Sequence, residues 1–230
     1  MFDFLIHTHL DYIEPFTMCM GQLNLYCPDI NKYVLINKKI ESKPEFVQIE
    51  YDDNTNYSQR FKNITDKILN DYILYLHEDM ILYDKPNIES LKNLCDIMEK
   101  NNIDCIKLCA NTDVTEEIYK NLRKQGGFYA FSVQPSLWNK KSFIKFMSHF
   151  NYSIQDMELK TQEFFKINYS SFVYYEGNEI KKGLGHYECN IFPYTATGIV
   201  GGKWNMKEYE KELKLLMSKY CINSNRPIMV

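Results

Sequence analysis

The chain has 230 residues, with 27 lysines and arginines against 30 aspartates and glutamates, for a net charge of −3. Its 45% hydrophobic and 25% charged residues supply enough apolar material for a core, which excludes a wholly disordered chain. The near-neutral balance lacks the basic surface that nucleic acid demands, and no apolar run approaches the roughly 20 residues of a membrane helix.

The length suits one domain or one domain with an appendage. The N-terminus, MFDFLIHTHLDY, carries an acid and histidines where a signal peptide is basic and then apolar. Seven cysteines at 19, 27, 95, 105, 109, 189 and 221 contain no CxxC pair, so they read as mostly buried free thiols. The expected setting is a soluble protein in a reducing cytoplasm. The sequons at Asn63, Asn151 and Asn168 then carry no meaning.

In chain order, Phe4-Leu5-Ile6 predicts a strand ending at His7. A helix over 15–26 follows, stopped at Cys27-Pro28 because proline disfavours helix in the residue before it. Tyr33–Ile36 and Phe46–Ile49 predict short strands, the second running out at Asp52-Asp53. Tyr57, Phe61, Ile64, Ile68 and Leu69 recur at helical spacing. The continuous apolar run Tyr72–Leu76 predicts a strand covered on both faces, and it leads directly into His77-Glu78-Asp79. Ile88, Leu91, Leu94 and Met98 mark a helix, and Cys105–Leu108 a strand. Beyond Gly126-Gly127 come an aromatic strand at 128–131, a helix near 139–149, an acidic helix near 153–166 and a Gly-, Tyr- and His-rich stretch over 183–202. Met206, Tyr209, Leu213, Leu216 and Tyr220 mark the last helix.

Strands alternating with helices imply an α/β fold with a mostly parallel central sheet flanked by helices and a less regular second half. Ligands of such sheets bind beyond the carboxyl ends of the strands, which places His7, Asp52, Asp53, Glu78 and Asp79 on one rim. Three groups of residues offer chemistry. Glu78 and Asp79 at a strand end suit a hard cation such as Mg²⁺, though acids there also cap turns. Asp156, Glu158 and Glu163 fall on one predicted helix. One of them in a cleft could act as a general base, yet by themselves the residues favour a solvated acidic face. The stretch ending Gly201-Gly202-Lys203-Trp204 supplies close backbone approach, a point charge suited to phosphate, and, with His186, a further ligand.

The order of these segments resembles a family of small polysaccharide glycosyltransferases with the GT-A fold, found in bacterial capsule clusters and large DNA viruses. The matching segments read Tyr72-Ile-Leu-Tyr-Leu-His-Glu-Asp-Met80, Gln134-Pro-Ser-Leu-Trp138, Ser153-Ile-Gln-Asp-Met-Glu158, Phe192-Pro-Tyr194 and Gly202-Lys-Trp-Asn205, and the likeness spans roughly 1–225. It implies a single GT-A-like domain, with a nucleotide-sugar-binding half over about 1–110 and an acceptor-binding half with the C-terminal helix over about 111–230. It also implies an inverting, metal-assisted transfer from a nucleotide-sugar donor to a glycan or other hydroxyl acceptor. A divalent cation, Mn²⁺ or Mg²⁺, would sit on Asp79 and His186. His7, Asp52, Tyr57, Arg60, Glu78, Lys203 and Trp204 would contact the donor, and Glu158 with Asp79 would be catalytic. His77 stands where the family's DxD motif has its first acid. Self-association into a homo-oligomer stays open.

Two competitors stand beside this expectation. A nucleotidyltransferase would carry a Gly-rich basic loop after its first strand, where this chain reads His7-Thr-His-Leu-Asp-Tyr-Ile-Glu14. A catalytically degenerate transferase-like protein would keep the fold as a sugar-binding or scaffold module.

Overall fold

A computed structural model of the chain describes every residue except 42–44, 63, 65, 112–113, 126–128, 183–185 and 230. The first half alternates as expected. β1 (Phe2–His7) leads through a 3₁₀ turn (Leu10–Tyr12) to α1 (Ile13–Tyr26), then β2 (Lys32–Ile36), β3 (Val47–Glu50), β4 (Tyr72–His77), α2 (Ile88–Asn101) and β5 (Cys105–Lys107). The second half adds β6 (Val114–Tyr119), β7 (Leu122–Gln125), β8 (Ser136–Asn139), α3 (Lys140–His149), α4 (Ile154–Lys160), α5 (Gln162–Asn168) and β9 (Ser171–Tyr174). Small strands follow: β10 (Lys181–Lys182) with β11 (His186–Tyr187), and β12 (Ile199–Val200) with β13 (Lys203–Asn205) and β14 (Ile228–Met229), around α6 (Met206–Lys219).

The central sheet has nine strands in the order β3-β2-β1-β4-β8-β5-β9-β7-β6. β3, β2, β1 and β4 are parallel, and so are β5 and β9. β8 runs against β4 and β5, and β7 against β9 and β6, so only β8 and β7 oppose the common direction. The fold class is therefore the expected one, α/β with a mostly parallel sheet flanked by helices.

Period-two alternation sorts the strands onto two faces. Phe2, Phe4 and Ile6 of β1 and Leu74 and Leu76 of β4 join one core cluster with α1, α2 and α6. Leu5, Ile73, Tyr75 and Trp138 join a second, aromatic cluster with α3, Met157 of α4 and Phe165 of α5. Side-chain caps start the helices where the sequence supplies them. Asn87 Oδ1 accepts from Ser90 N, Asn139 Oδ1 from Ser142 N, and Ser153 Oγ from Asp156 N.

Three expected elements differ. The helix expected across 57–69 is a short 3₁₀ turn, Tyr57–Phe61. Tyr57, Phe61, Ile64 and Ile68 are nevertheless buried, and Leu69 is exposed. Residues 63 and 65 lie outside the described ones, and Asp66 beside them is a type of low helix propensity. The acidic helix over 153–166 is two helices, broken at Thr161, whose hydroxyl bonds back to Met157 O. The aromatic strand at 128–131 is absent over 129–131, and Tyr129 has φ +69°; residues 126–128 lie outside the described ones. In their place the sheet takes the β6–β7 hairpin, with Asn121 at φ +63° in its turn, and the strands β8 and β9.

Among the described residues, no helix is long and apolar enough to cross a membrane. Six of the seven cysteines are buried, and Cys221 is exposed.

Candidate active site

The strand ends converge on a cleft of about 600 Å³. β1 and β4 lie side by side in parallel register, with His7 opposite His77. Alternation puts both histidines on the aromatic face, in line with Tyr75. That line ends in a polar network. His77 Nε2 lies 3.0 Å from the Tyr57 hydroxyl and 2.6 Å from the Tyr75 hydroxyl, and the two hydroxyls bond each other. His7 stacks on Tyr51, with ring centroids 5.3 Å apart and planes 12° from parallel. The Arg60 guanidinium sits 4.3 Å above the Tyr51 ring, with one nitrogen 3.4 Å from His7 Nε2.

These surroundings set the charges. Burial holds the His77 imidazole down at about 3, and the positive charge of Arg60 adds to the effect. Burial, then His77 and Arg60, keep His7 well below its ordinary value. Both rings are therefore neutral at pH 7. Burial raises the Asp79 carboxyl to about 6, opposed by its hydrogen bond from Ile199 N–H. Burial and the neighbouring Asp79 push Glu78 well above the usual carboxylate range.

The acids are held in place by the second half of the chain. Asp79 Oδ2 accepts from Ile199 N at 3.0 Å, and its carbonyl accepts from the Thr195 hydroxyl at 2.8 Å. Gly198 permits this approach, because a Cβ there would stand 2.5 Å from Asp79 O. Gly201 and Gly202, at φ +54° and +77°, form the two-residue turn joining β12 to β13 and line the cleft opposite Glu78 and Asp79. Arg226 braces this turn. Its guanidinium donates to Gly202 O at 3.2 Å and Asp11 O at 2.9 Å, and packs over the Tyr12 and Trp204 rings.

Of the residues expected from sequence, His7, Tyr57, Arg60, Glu78 and Asp79 all line this cleft. The others lie off its lining. Asp52 closes its own turn through Asn54 N and is exposed. Lys203 is exposed one residue beyond the glycine turn. Trp204 is buried in the core, donating its indole N–H to Ser224 Oγ. His186 Nε2 pairs with the Tyr209 hydroxyl at 2.9 Å. Glu158 is half-buried on α4, and its carboxylate accepts from Val133 N at 2.9 Å. Burial raises its pKa, against the Val133 hydrogen bond and the charge of Lys107. Its own charge is felt at Tyr57, which lines the cleft, and at Tyr75.

Sequence reasoning missed His77, Tyr75 and Arg226. The alternation in Tyr72–His77 was the available signal for the first two, since it puts Tyr75 and His77 on one face. Nothing in the sequence marks Arg226, whose role depends on the chain returning to the cleft.

The residues fit a cation. His7, His77 and Glu78 are buried, and each offers one ligand atom within 4.8 Å of the others. Glu78 Oε2 is buried without a hydrogen-bond partner among the described residues. Three carboxylates, Asp53, Glu78 and Asp79, line the cleft against the single guanidinium of Arg60.

No protein-family model matches the sequence, and no curated protein matches it either. Among solved structures, the bifunctional IspDF of Campylobacter jejuni is 13% identical over 83% of this chain and 52% of its own, with a TM-score of 0.48. The 4-diphosphocytidyl-2C-methyl-D-erythritol synthase of Anaerococcus prevotii is 14% identical over 75% of this chain and 85% of its own, with a TM-score of 0.45. The glycosyltransferase GlyE of Streptococcus pneumoniae is 18% identical over 74% and 44%, with a TM-score of 0.42. The chain thus spans about half the length of IspDF and less than half of GlyE, and most of the synthase.

Proposed function

We propose that the protein is a glycosyltransferase that moves a sugar from a nucleotide-sugar donor to a glycan or other hydroxyl acceptor, with metal assistance and inversion. The observation that carries this reading is the position of the cleft. It opens at the carboxyl ends of β1 and β4, where a mostly parallel sheet takes its ligand, and it presents Glu78 and Asp79 there.

The charge of the cleft supports a cation-dependent donor. A diphosphate entering beside Asp53 and Asp79 meets one guanidinium, and Glu78, pushed toward its protonated form by burial, adds no positive charge. A bound divalent cation would reverse that balance and stabilise the leaving diphosphate. Asp79 would hold it, and Arg60 would add a bidentate donor to a phosphate. In this reading Lys203, one residue past the Gly201-Gly202 turn, would add charge toward the phosphates. Glu158 is the general base of this reading. A half-buried carboxylate with a raised pKa is a better proton acceptor than an exposed one. Such a base is worth roughly two to four orders of magnitude in rate.

Thermal shifts with UDP, GDP, CDP and dTDP, each with and without Mn²⁺, test the donor site. One nucleotide should stabilise the wild type only with Mn²⁺, by about 2.7 kcal/mol at a hundred times its dissociation constant, and Asp79→Asn should abolish the shift. No shift with any nucleotide would overturn the reading in favour of a degenerate transferase-like binding module. The replacement of the first DxD acid by His77 favours that second reading. Detectable hydrolysis of a nucleotide sugar, lost in Asp79→Asn, would eliminate it.

A further inference from the structure

We propose that His7, His77 and Glu78 form a binding site for a borderline transition-metal ion, with Zn²⁺ the natural probe. This site is separate in donor chemistry from the oxygen site at Asp79. It rests on the three side chains themselves and not on the transferase reading.

The geometry is built from the sheet. Parallel pairing sets His7 beside His77 on one face of adjacent strands, with ring centroids 5.0 Å apart. The chain turns immediately after β4 and brings Glu78 to the same point, so that one ligand atom from each residue lies within 4.8 Å of the others. Ions of this class bind nitrogen and oxygen at about 2.0–2.2 Å in a tetrahedron, so donors on one ion stand about 3.3–3.6 Å apart and the three side chains would draw together on binding.

Two independent observations point to a ligand. Glu78 Oε2 is buried and unpartnered among the described residues, on the residue that completes the cluster. A buried carboxyl oxygen with no donor keeps its charge only if something positive meets it, and otherwise takes a proton. Second, His77 is already oriented as metal-binding histidines are. The Tyr57 and Tyr75 hydroxyls hold its Nε2, which fixes the orientation of the ring and leaves Nδ1 as the nitrogen for an ion. His7 is fixed by stacking on Tyr51.

Donor type decides the ion. Two imidazoles and one carboxylate suit zinc and its neighbours, whereas Mg²⁺ prefers an octahedron of oxygens. Three protein ligands leave an open coordination position, and His7, His77 and Glu78 all line the 600 Å³ cleft. The opposing charge is Arg60, 3.4 Å from His7 Nε2. It costs the bare ion affinity, and it favours an ion that carries an anion in its open position.

The test uses the full chain with Cys221→Ser as background, because that thiol is exposed and could hold zinc adventitiously. After chelator treatment, the protein is dialysed against buffered Zn²⁺ and the bound metal is measured by mass spectrometry. One Zn²⁺ per chain is expected, retained in millimolar Mg²⁺ and in Asp79→Asn. His7→Gln and Glu78→Gln should each weaken it by more than about a hundredfold. Tyr75→Phe, which removes one support of His77, should weaken it by about ten- to a hundredfold. X-ray absorption at the zinc edge should report two imidazoles, a readout that does not depend on whether any variant folds. No bound zinc in the parent protein, displacement by Mg²⁺, or an edge spectrum without imidazole would overturn the proposal. Nucleotide binding is measured separately, so failure of the donor reading leaves the zinc result standing, and the reverse.

Discussion

The two faces of the central sheet do different work. The larger core, covered by α1, α2 and α6, is filled chiefly by leucine, isoleucine, methionine and cysteine, with rings such as Phe2, Phe4, Phe16, Phe192, Tyr194, Trp204 and Tyr209 in the minority. The other is filled largely by rings: Tyr33, Tyr51, Tyr57, Phe61, Tyr75, Phe131, Trp138, Phe143, Phe146, Phe165 and Tyr169. Aliphatic side chains offer no polar handle. Tyrosine and histidine combine an apolar body with a polar tip, so the aromatic face can change from core to site along one strand. On β4 that change takes two steps, from Ile73 through Tyr75 to His77. The cleft is thus the polar end of one core layer.

The comparison can be broken hardest at Trp138. Its ring meets Phe131, Phe143, Phe146, Phe165 and Tyr169, and its indole N–H donates to Ser136 Oγ. Trp138→Ala should cost about 3–5 kcal/mol in urea unfolding. A loss under 1 kcal/mol would mean that the rings do not act as one packed layer. Gly198→Ala should come next. Its Cβ would collide with the Asp79 carbonyl, so the backbone must shift, at about 1–3 kcal/mol. Because the strain falls on the cleft acid, Mn²⁺-dependent nucleotide binding should fall further than stability does. Equal nucleotide affinity in the variant would show that Asp79 need not stay where Ile199 holds it.

The parallel half of this fold was legible because its strands are short continuous apolar runs, and their ends named the rim. His7, Glu78 and Asp79 followed from β1 and β4 alone. The remainder depends on contacts between distant segments. β8 is four residues inserted between β4 and β5, and its sequence, Ser136-Leu-Trp-Asn139, carries no strand period of its own. The 57–69 stretch has helical spacing, yet it is a short turn over Tyr57–Phe61 that buries Tyr57 and Phe61, with Ile64 and Ile68 buried beyond it and Leu69 exposed. Thr161 divides an otherwise helical run through a hydroxyl whose choice of partner the sequence does not reveal. Trp204 and Lys203 are adjacent in sequence, yet pairing of β13 in its small sheet sends one into the core and leaves the other exposed.

A finer cut separates packing from polarity within the aromatic layer. Tyr75→Phe keeps the ring against Phe61 and Phe143 and removes the hydroxyl that bonds both His77 and Tyr57. It should cost about 1–2 kcal/mol, the net worth of one or two buried hydrogen bonds, since Tyr57 still reaches His77. A cost of several kcal/mol would place the hydroxyl among the structural supports of the layer and blur the division between core and site.

Glu158→Gln makes the smallest change and reads the polar margin through pH. Burial holds the Glu158 carboxyl above its ordinary value in the folded chain. Between the unfolded value and that raised value, the folded state binds the proton and the unfolded state does not. The slope of stability against pH is then negative in that window. Stability from this group is fully present below the unfolded value and is lost as pH rises through the folded one. Glutamine does not titrate, and its side-chain oxygen can still accept from Val133 N. The variant should therefore match the wild type near pH 4 and become the more stable of the two by pH 7, in paired thermal melts. Transfer activity should move the opposite way, because the charged carboxylate that weakens the fold is the form that takes the acceptor proton. Parallel pH–stability curves would mean that Glu158 is paired and comfortable when charged, and would remove the reason for treating it as a base.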